Sequence, residues 1–213
     1  SFQPRGGGGP FKNYQQFFSD PFLRETIWIT LRIAVPSALI NVIASVPVAY
    51  KMRGRVRGKR LITMLLVVPI TFGTVLTAQA LLEYLDPTGW LNKVLLAVNL
   101  VDTPVTLVRN YWGVMFSLVI SGFPFAFLLT LSYLSGIDPS LERAAATLGA
   151  GWWQRFRYIT LPLLLPGLTI TFCLTFVIAF SVFPSAVIVG DPLGETHVIS
   201  IAAVDAVTQR NDY

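Results

Sequence analysis

The chain has 213 residues, of which 54% are apolar, 13% charged and 13% aromatic, and its mean hydropathy is +0.63. A soluble domain carries roughly 25% charged residues, so an ordinary water-soluble fold is excluded, and a chain this apolar does not stay a solvated coil. The net charge of +5 does not point to nucleic acid, because the basic residues sit in short gaps between apolar runs, as on the cytoplasmic face of a membrane protein. Cys173 is the only cysteine and His197 the only histidine, which leaves no intramolecular disulfide and no metal or catalytic centre built on either.

Residues 1–26 read as an outer, periplasmic segment. They open with a run of four glycines and lack the basic-then-apolar order of a signal peptide. With no initiator methionine, and with helical patterning still running at Tyr213, both ends are expected to be cut from a longer protein, so the span count is a minimum. Residues 27–213 form the membrane domain. About 20 apolar residues cross a ~30 Å hydrocarbon core, and Ile27–Tyr50, Leu61–Leu82, Tyr111–Ser135 and Leu163–Val189 meet that length, giving four complete spans. Pro36, Pro47, Pro69, Pro124, Pro166 and Pro184 fall in or near them, a pattern a bundle tolerates when neighbouring helices satisfy the freed carbonyls.

Orientation follows from the basic residues. Lys51, Arg53, Arg55, Arg57, Lys59 and Arg60 crowd the loop 51–60, and Arg143, Arg155 and Arg157 lie in the loop 136–162, so both loops are expected in the cytoplasm. Loops 83–110 and 190–197 then face outward. Within the first of these, Trp90, Leu91, Val94, Leu95 and Val98 recur at helical spacing over a stretch too short to cross, which predicts an interfacial helix.

The loop 136–162 reads G-I-D-P-S-L-E-R-A-A-A-T-L-G-A-G-W-W-Q-R-F-R-Y-I-T-L-P. Asp138 followed by Pro139 is an N-cap with proline at the first helical position, and Gly149 suits a helix stop. The short helix between them places Leu141, Ala144, Ala145 and Leu148 on one face, mostly of small side chains that permit close approach. An aromatic and basic stretch, Trp152 to Tyr158, follows before the next span. Such a surface outside the bilayer marks a docking site.

These residues strongly resemble the cytoplasmic loop of the inner-membrane permease subunits of binding-protein-dependent ABC importers. That motif combines an E-A-A core, a glycine seven residues after the glutamate and an I-x-L-P ending, and Glu142, Ala144, Ala145, Gly149, Ile159, Leu161 and Pro162 occupy the matching places. Arg143 stands where the family usually has its first alanine. Thr30-Leu31-Arg32, Gly89-Trp90-Leu91-Asn92 and Ile201-Ala202-Ala203 are similar to the spermidine/putrescine-type branch, while permeases for iron, thiamine, phosphonates or opines share the architecture.

The resemblance implies an all-α, polytopic transmembrane bundle in the bacterial inner membrane, here four complete spans and the start of a further one, as a fragment of a six-span protein. It also implies its partners: a cytoplasmic ATPase dimer, a second permease subunit, homologous or identical, and a periplasmic or extracellular solute-binding protein. Glu142 is expected to make polar contacts with the ATPase, Ala144 and Ala145 to allow close packing, and Gly149 to permit the turn. No G-x-x-x-x-G-K-[ST] phosphate loop occurs, so the chain is expected to have no cofactor and no enzymatic activity of its own, ATP being bound by the partner. Asn41, Gln79, Ser121, Ser181 and Asp205 are the polar residues expected to line the solute path, although polar residues in spans more commonly bond helix to helix. A secondary transporter would need midplane coupling-ion sites, and the four spans contain no carboxylate. An intramembrane enzyme would need a catalytic set that is likewise missing.

Overall fold

The computed structural model describes residues 21–54, 58–101, 103–181, 184–191 and 196–204. Among them there is no strand. In chain order the elements are α1 (Pro21–Arg53), α2 (Lys59–Leu85), α3 (Trp90–Ala97), α4 (Tyr111–Gly136), α5 (Pro139–Thr147), α6 (Trp152–Arg155), a π-helical turn (Phe156–Thr160), α7 (Leu161–Phe180) and α8 (Pro184–Ile188). Residues 199–204 are helical again.

Three helices are long and apolar enough to cross a membrane by length and composition: Arg24–Arg53, Tyr111–Gly136 and Trp152–Phe180. Two of the four expected spans need correction. The second falls on α2, whose backbone leaves helical geometry at Gly73, with φ 72° and ψ 170°, so an interrupted helix replaces an unbroken one. That backbone conformation is open to glycine and strained for other residues. The fourth does not reach Val189. Its helix starts earlier, at Trp152, ends at Phe180, and is followed by the separate α8.

α1 and α4 form the most extensive helix pair, and α7 packs across both. The two run parallel, since the Tyr111 hydroxyl donates to the Arg32 carbonyl at one end, 2.9 Å, while Arg53 reaches Ile137 at the other. The Tyr111 contact also answers the proline problem. Pro36 has no N–H for the carbonyl four residues back, which is that of Arg32, and the neighbouring helix supplies the missing donor. The Arg32 guanidinium lies 5.6 Å from the Tyr111 ring centre, a cation–π contact at the outer end of its span.

The core has two apolar clusters at opposite ends. Ile33, Ala34, Val114, Leu118, Ala179, Ala186, Val198 and Ile201 form the outer one, and Ala49, Met52, Phe127, Leu134 and Leu164 the cytoplasmic one. Between them α1 meets α4 through small and polar groups. Asn41 Nδ2 donates to Leu118 O at 3.3 Å, and the hydroxyls of Ser45 and Thr130 pair at 2.8 Å. Close approach is also steric: a Cβ at Gly167 of α7 would lie 2.4 Å from Cγ of Tyr133 on α4. In lipid, where apolar surface alone does not drive helices together, such small-residue contacts are what bind them.

The expected interfacial helix is α3. It is pinned by Asn92, fully buried, whose amide donates to the carbonyls of Asp86 and Val105 and accepts from the Val105 amide at 2.8 Å. One side chain thus folds the returning loop onto the helix.

Candidate functional site

Two chain breaks in periodicity build the site at the end of the bundle expected in the cytoplasm. The first is α5. Asp138 caps it, its carboxylate accepting from the Ser140 amide at 2.8 Å. The backbone and side-chain hydrogen bonds of Ser140 hold the Asp138 carboxyl below the usual carboxylate range. At the other end Gly149 has φ +84°, the Gly149 amide donates to Ala146 O and the Ala150 amide to Ala145 O, both at 3.0 Å. This is a Schellman closure, which selects glycine because the left-handed backbone crowds any Cβ.

The second is the junction into α7. Gly151 starts α6, with its amide donating to Gln154 Oε1 at 2.9 Å. Pro162 has no N–H to continue the α pattern, and just before it the helix widens: the Leu161 amide donates to Phe156 O, five residues back. The I-T-L-P ending is thus a π turn that carries the loop into the span without a break.

Glu142 lies between these two features. Its Oε1 accepts from Arg53 Nη1 at 2.7 Å and from Thr160 Oγ1 at 2.7 Å, and its Oε2 accepts from the Tyr50 hydroxyl at 3.2 Å. Arg53 Nη2 donates to the carbonyl of Ile137. Burial acts to raise the Glu142 pKa, but the Thr160 hydrogen bond, the Arg53 charge and the Tyr50 and Arg53 hydrogen bonds outweigh it and hold the carboxyl below its usual range. Beside the contact with the ATPase expected of it, Glu142 thus has partners within its own chain. The carboxylate is engaged by three donors of its own chain, because α5 lies across the end of α1 with that side chain turned inward.

The rest of α5 points the other way. None of its residues is buried, and Leu148 is 87% exposed and Leu141 46%. Ala144 is exposed and Ala145 half-buried. Among the described residues, the apolar face read from the sequence is therefore left mostly uncovered, with only Ala145 half-buried. Ile159 and Leu161 are half-buried and Pro162 is exposed.

The paired aromatics of the expected docking surface, Trp152 and Trp153, are exposed, and they also pack on one another and on the neighbouring rings. Trp152 stacks on Phe156 at 6.0 Å and 12°, and Tyr50 of α1 meets Phe156 edge-on at 5.3 Å. These rings wedge the π turn against α1 beside an apolar groove of about 670 Å³, with Lys51 and Trp153 also lining it.

The expected path residues are not brought together. Asn41 is buried and bonds across to α4, and Ser121 donates to Ser117 O in its own helix at 2.7 Å. Gln79 is exposed on α2, and Ser181 is exposed at the end of α7. Asp205 lies outside the described residues. Arg53, Tyr50 and Thr160 were missed as site residues. Their signals were faint: Tyr50 and Arg53 share a helix face at i, i+3 where α1 leaves the membrane, and Thr160 is the variable x of I-x-L-P.

Comparison with known proteins places the chain among transport permeases. Over 194 residues the chain is 26% identical to the spermidine/putrescine transport system permease protein PotB of Haemophilus influenzae, covering 91% of this chain and 66% of that protein. It is 30% identical over 159 residues to PotB of Escherichia coli, covering 73% of this chain and 57% of that one. A probable sulfate transport system permease protein of Prototheca wickerhamii is 26% identical over 91% of this chain and 74% of its own length. Among solved structures, a bacterial alginate ABC transporter in complex with an alginate pentasaccharide-bound periplasmic protein matches with TM-score 0.77 at 20% identity, over 94% of this chain and 72% of that one. That likeness establishes the fold. Residues 34–206 match the family described as binding-protein-dependent transport system inner membrane component, and the chain belongs to that family.

Proposed function

We propose that this chain is the permease subunit of an ATP-driven importer in the bacterial inner membrane, with α5 as the helix that a cytoplasmic ATPase dimer grips. The observation that carries the reading is the split character of α5: its carboxylate is tied into the bundle while its Leu141 and Leu148 side lies bare at the cytoplasmic end. Ala144 and Ala145 keep the approach close, and Gly149 turns the chain back. ATP is bound by the partner. A second permease subunit, identical or homologous, completes the path, and a solute-binding protein delivers solute to the outer loops. Closure of the ATPase displaces α5 and tilts the attached spans, switching access from outward to inward.

A polyamine such as spermidine or putrescine is the proposed solute, supported by likeness to the PotB proteins. Sulfate is the second reading, because the probable sulfate permease is as similar over as much of the chain. The decisive experiment is purification of the full-length protein with the ATPase and binding protein encoded beside it, followed by uptake into proteoliposomes of spermidine, putrescine and sulfate in turn. A stoichiometric ATPase and uptake of a polyamine are expected. Sulfate uptake moves the assignment to the second reading, and purification without any ATPase refutes the importer itself.

A further inference from the structure

Neither end of α5 needs Glu142. Asp138 caps the start and Gly149 closes the finish, each through its own bonds. Yet Glu142 collects more donors than any other described side chain of that loop, and they come from separate helices. Tyr50 and Arg53 stand in the last turn of α1, and Thr160 belongs to the π turn that opens α7. The second arm of Arg53 takes the Ile137 carbonyl where α4 ends. One carboxylate and one guanidinium therefore join α5 to the cytoplasmic ends of all three uninterrupted spans. The pair is only 13% and 17% exposed, which shields it from salt more than a surface ion pair. Arginine suits the place because its planar fork donates in two directions at once.

We infer that Arg53 is a positioning residue that makes Glu142 the rigid junction through which a displacement of α5 reaches α1, α4 and α7 together. The inference rests on the importer reading. Weakening the junction lets α5 move while the spans stay behind, so ATP is hydrolysed and less solute crosses. A side chain that only held the fold together would instead lower the amount of assembled complex, with uptake and hydrolysis falling in proportion.

The test uses the full-length complex in proteoliposomes, with solute transported per ATP as the readout. Arg53→Ala and Glu142→Gln are expected to copurify with the ATPase in normal amounts, to hydrolyse ATP within about twofold of the unmodified protein, and to carry at least about tenfold less solute per ATP, a factor corresponding to about 1.4 kcal/mol. The double variant is expected to be no worse than the poorer single one, since both remove one shared interaction. Unchanged solute per ATP in the single variants, or losses that multiply in the double, overturns the inference. Should Arg53→Ala fail to assemble, Arg53→Lys decides: it keeps the charge but not the fork, and a threefold or larger drop is expected, while unmodified stoichiometry overturns the junction. Absence of any ATPase from the unmodified preparation would remove the importer reading, and this inference with it.

Discussion

The two ends of this bundle are closed by different chemistry. At the cytoplasmic end a carboxylate and a guanidinium gather α1, α4, α5 and the root of α7 into one charged knot. At the other end the closing hydrogen bonds are neutral, with one charge beside them in the Arg32 guanidinium over the Tyr111 ring: the Tyr111 hydroxyl on Arg32 O, the Arg109 amide on Val189 O at 2.7 Å, and the Ile199 amide on the Thr30 hydroxyl at 3.0 Å. The glycines differ in the same sense. A Cβ at Gly190 would meet Thr196 Oγ1 at 2.4 Å and Ala186 O at 2.5 Å, whereas one at Gly149 would meet nothing within 4 Å. Around Gly190 the chain is thus held by close contact, and at the α5 end by an ion pair beside a helix with open space around Gly149. The second arrangement suits the proposed coupling to an ATPase.

Four substitutions or conditions test that contrast. The largest effect is expected from Gly190→Val, where the Cβ is driven into backbone and a buried side chain; a loss of about 3 kcal/mol is expected, read as thermal unfolding in detergent, and an unchanged melting point would break the steric account of the outer end. Next comes acid. Because the Glu142 pKa is held down in the folded protein, its contribution is present in full above the ordinary carboxylate range and disappears as pH falls through the lowered value. The loss is expected to reach about 2 kcal/mol, the size of one charge-assisted hydrogen bond, as faster amide exchange where α5 meets α1. Glu142→Gln should abolish that Glu142-dependent part while leaving the part due to Asp138, and away from α5 acid should act chiefly around Asp86, whose carboxyl is likewise held down by its hydrogen bonds from Thr88.

Gly149→Ala comes third. Its cost is backbone strain of about 1–2 kcal/mol rather than collision, so exchange protection is expected to fall within α5 while the outer helices keep theirs. Protection lost equally at both ends would erase the distinction. The smallest effect belongs to Tyr111→Phe, about 1 kcal/mol for one neutral hydrogen bond, measured by the same unfolding curve and unchanged between neutral and acid conditions.

Legibility in the sequence divides along a similar line. The limits of α5 were readable because every interaction that sets them is local: Asp138 to Ser140 at the start, Ala145 and Ala146 to Gly149 and Ala150 at the end. Spans such as Ile27–Tyr50 and Tyr111–Ser135 were readable to within a few residues, because length and hydropathy alone decide whether a helix can cross lipid. The break at Gly73 was not, since a glycine among apolar neighbours is equally compatible with continuous helix. The bonding of the polar span residues was not legible for another reason. A serine or asparagine in a span can bond to its own backbone, as Ser121 does, or to a neighbour, as Asn41 does, and the residue type is silent between them. The bond from Glu142 to Arg53 was not legible, because Arg53 is 89 positions away and was counted only as a loop charge.

By itself the sequence determined the membrane environment and the start and stop of the short helix α5, which depend on hydropathy or on contacts within six residues. Tertiary structure decided which face of that helix turns inward, what its carboxylate holds, and how Tyr111 serves a carbonyl freed by Pro36. Those are encounters between segments far apart in the chain, and only the packing of α1 against α4 and α7 brings their atoms within hydrogen-bonding reach.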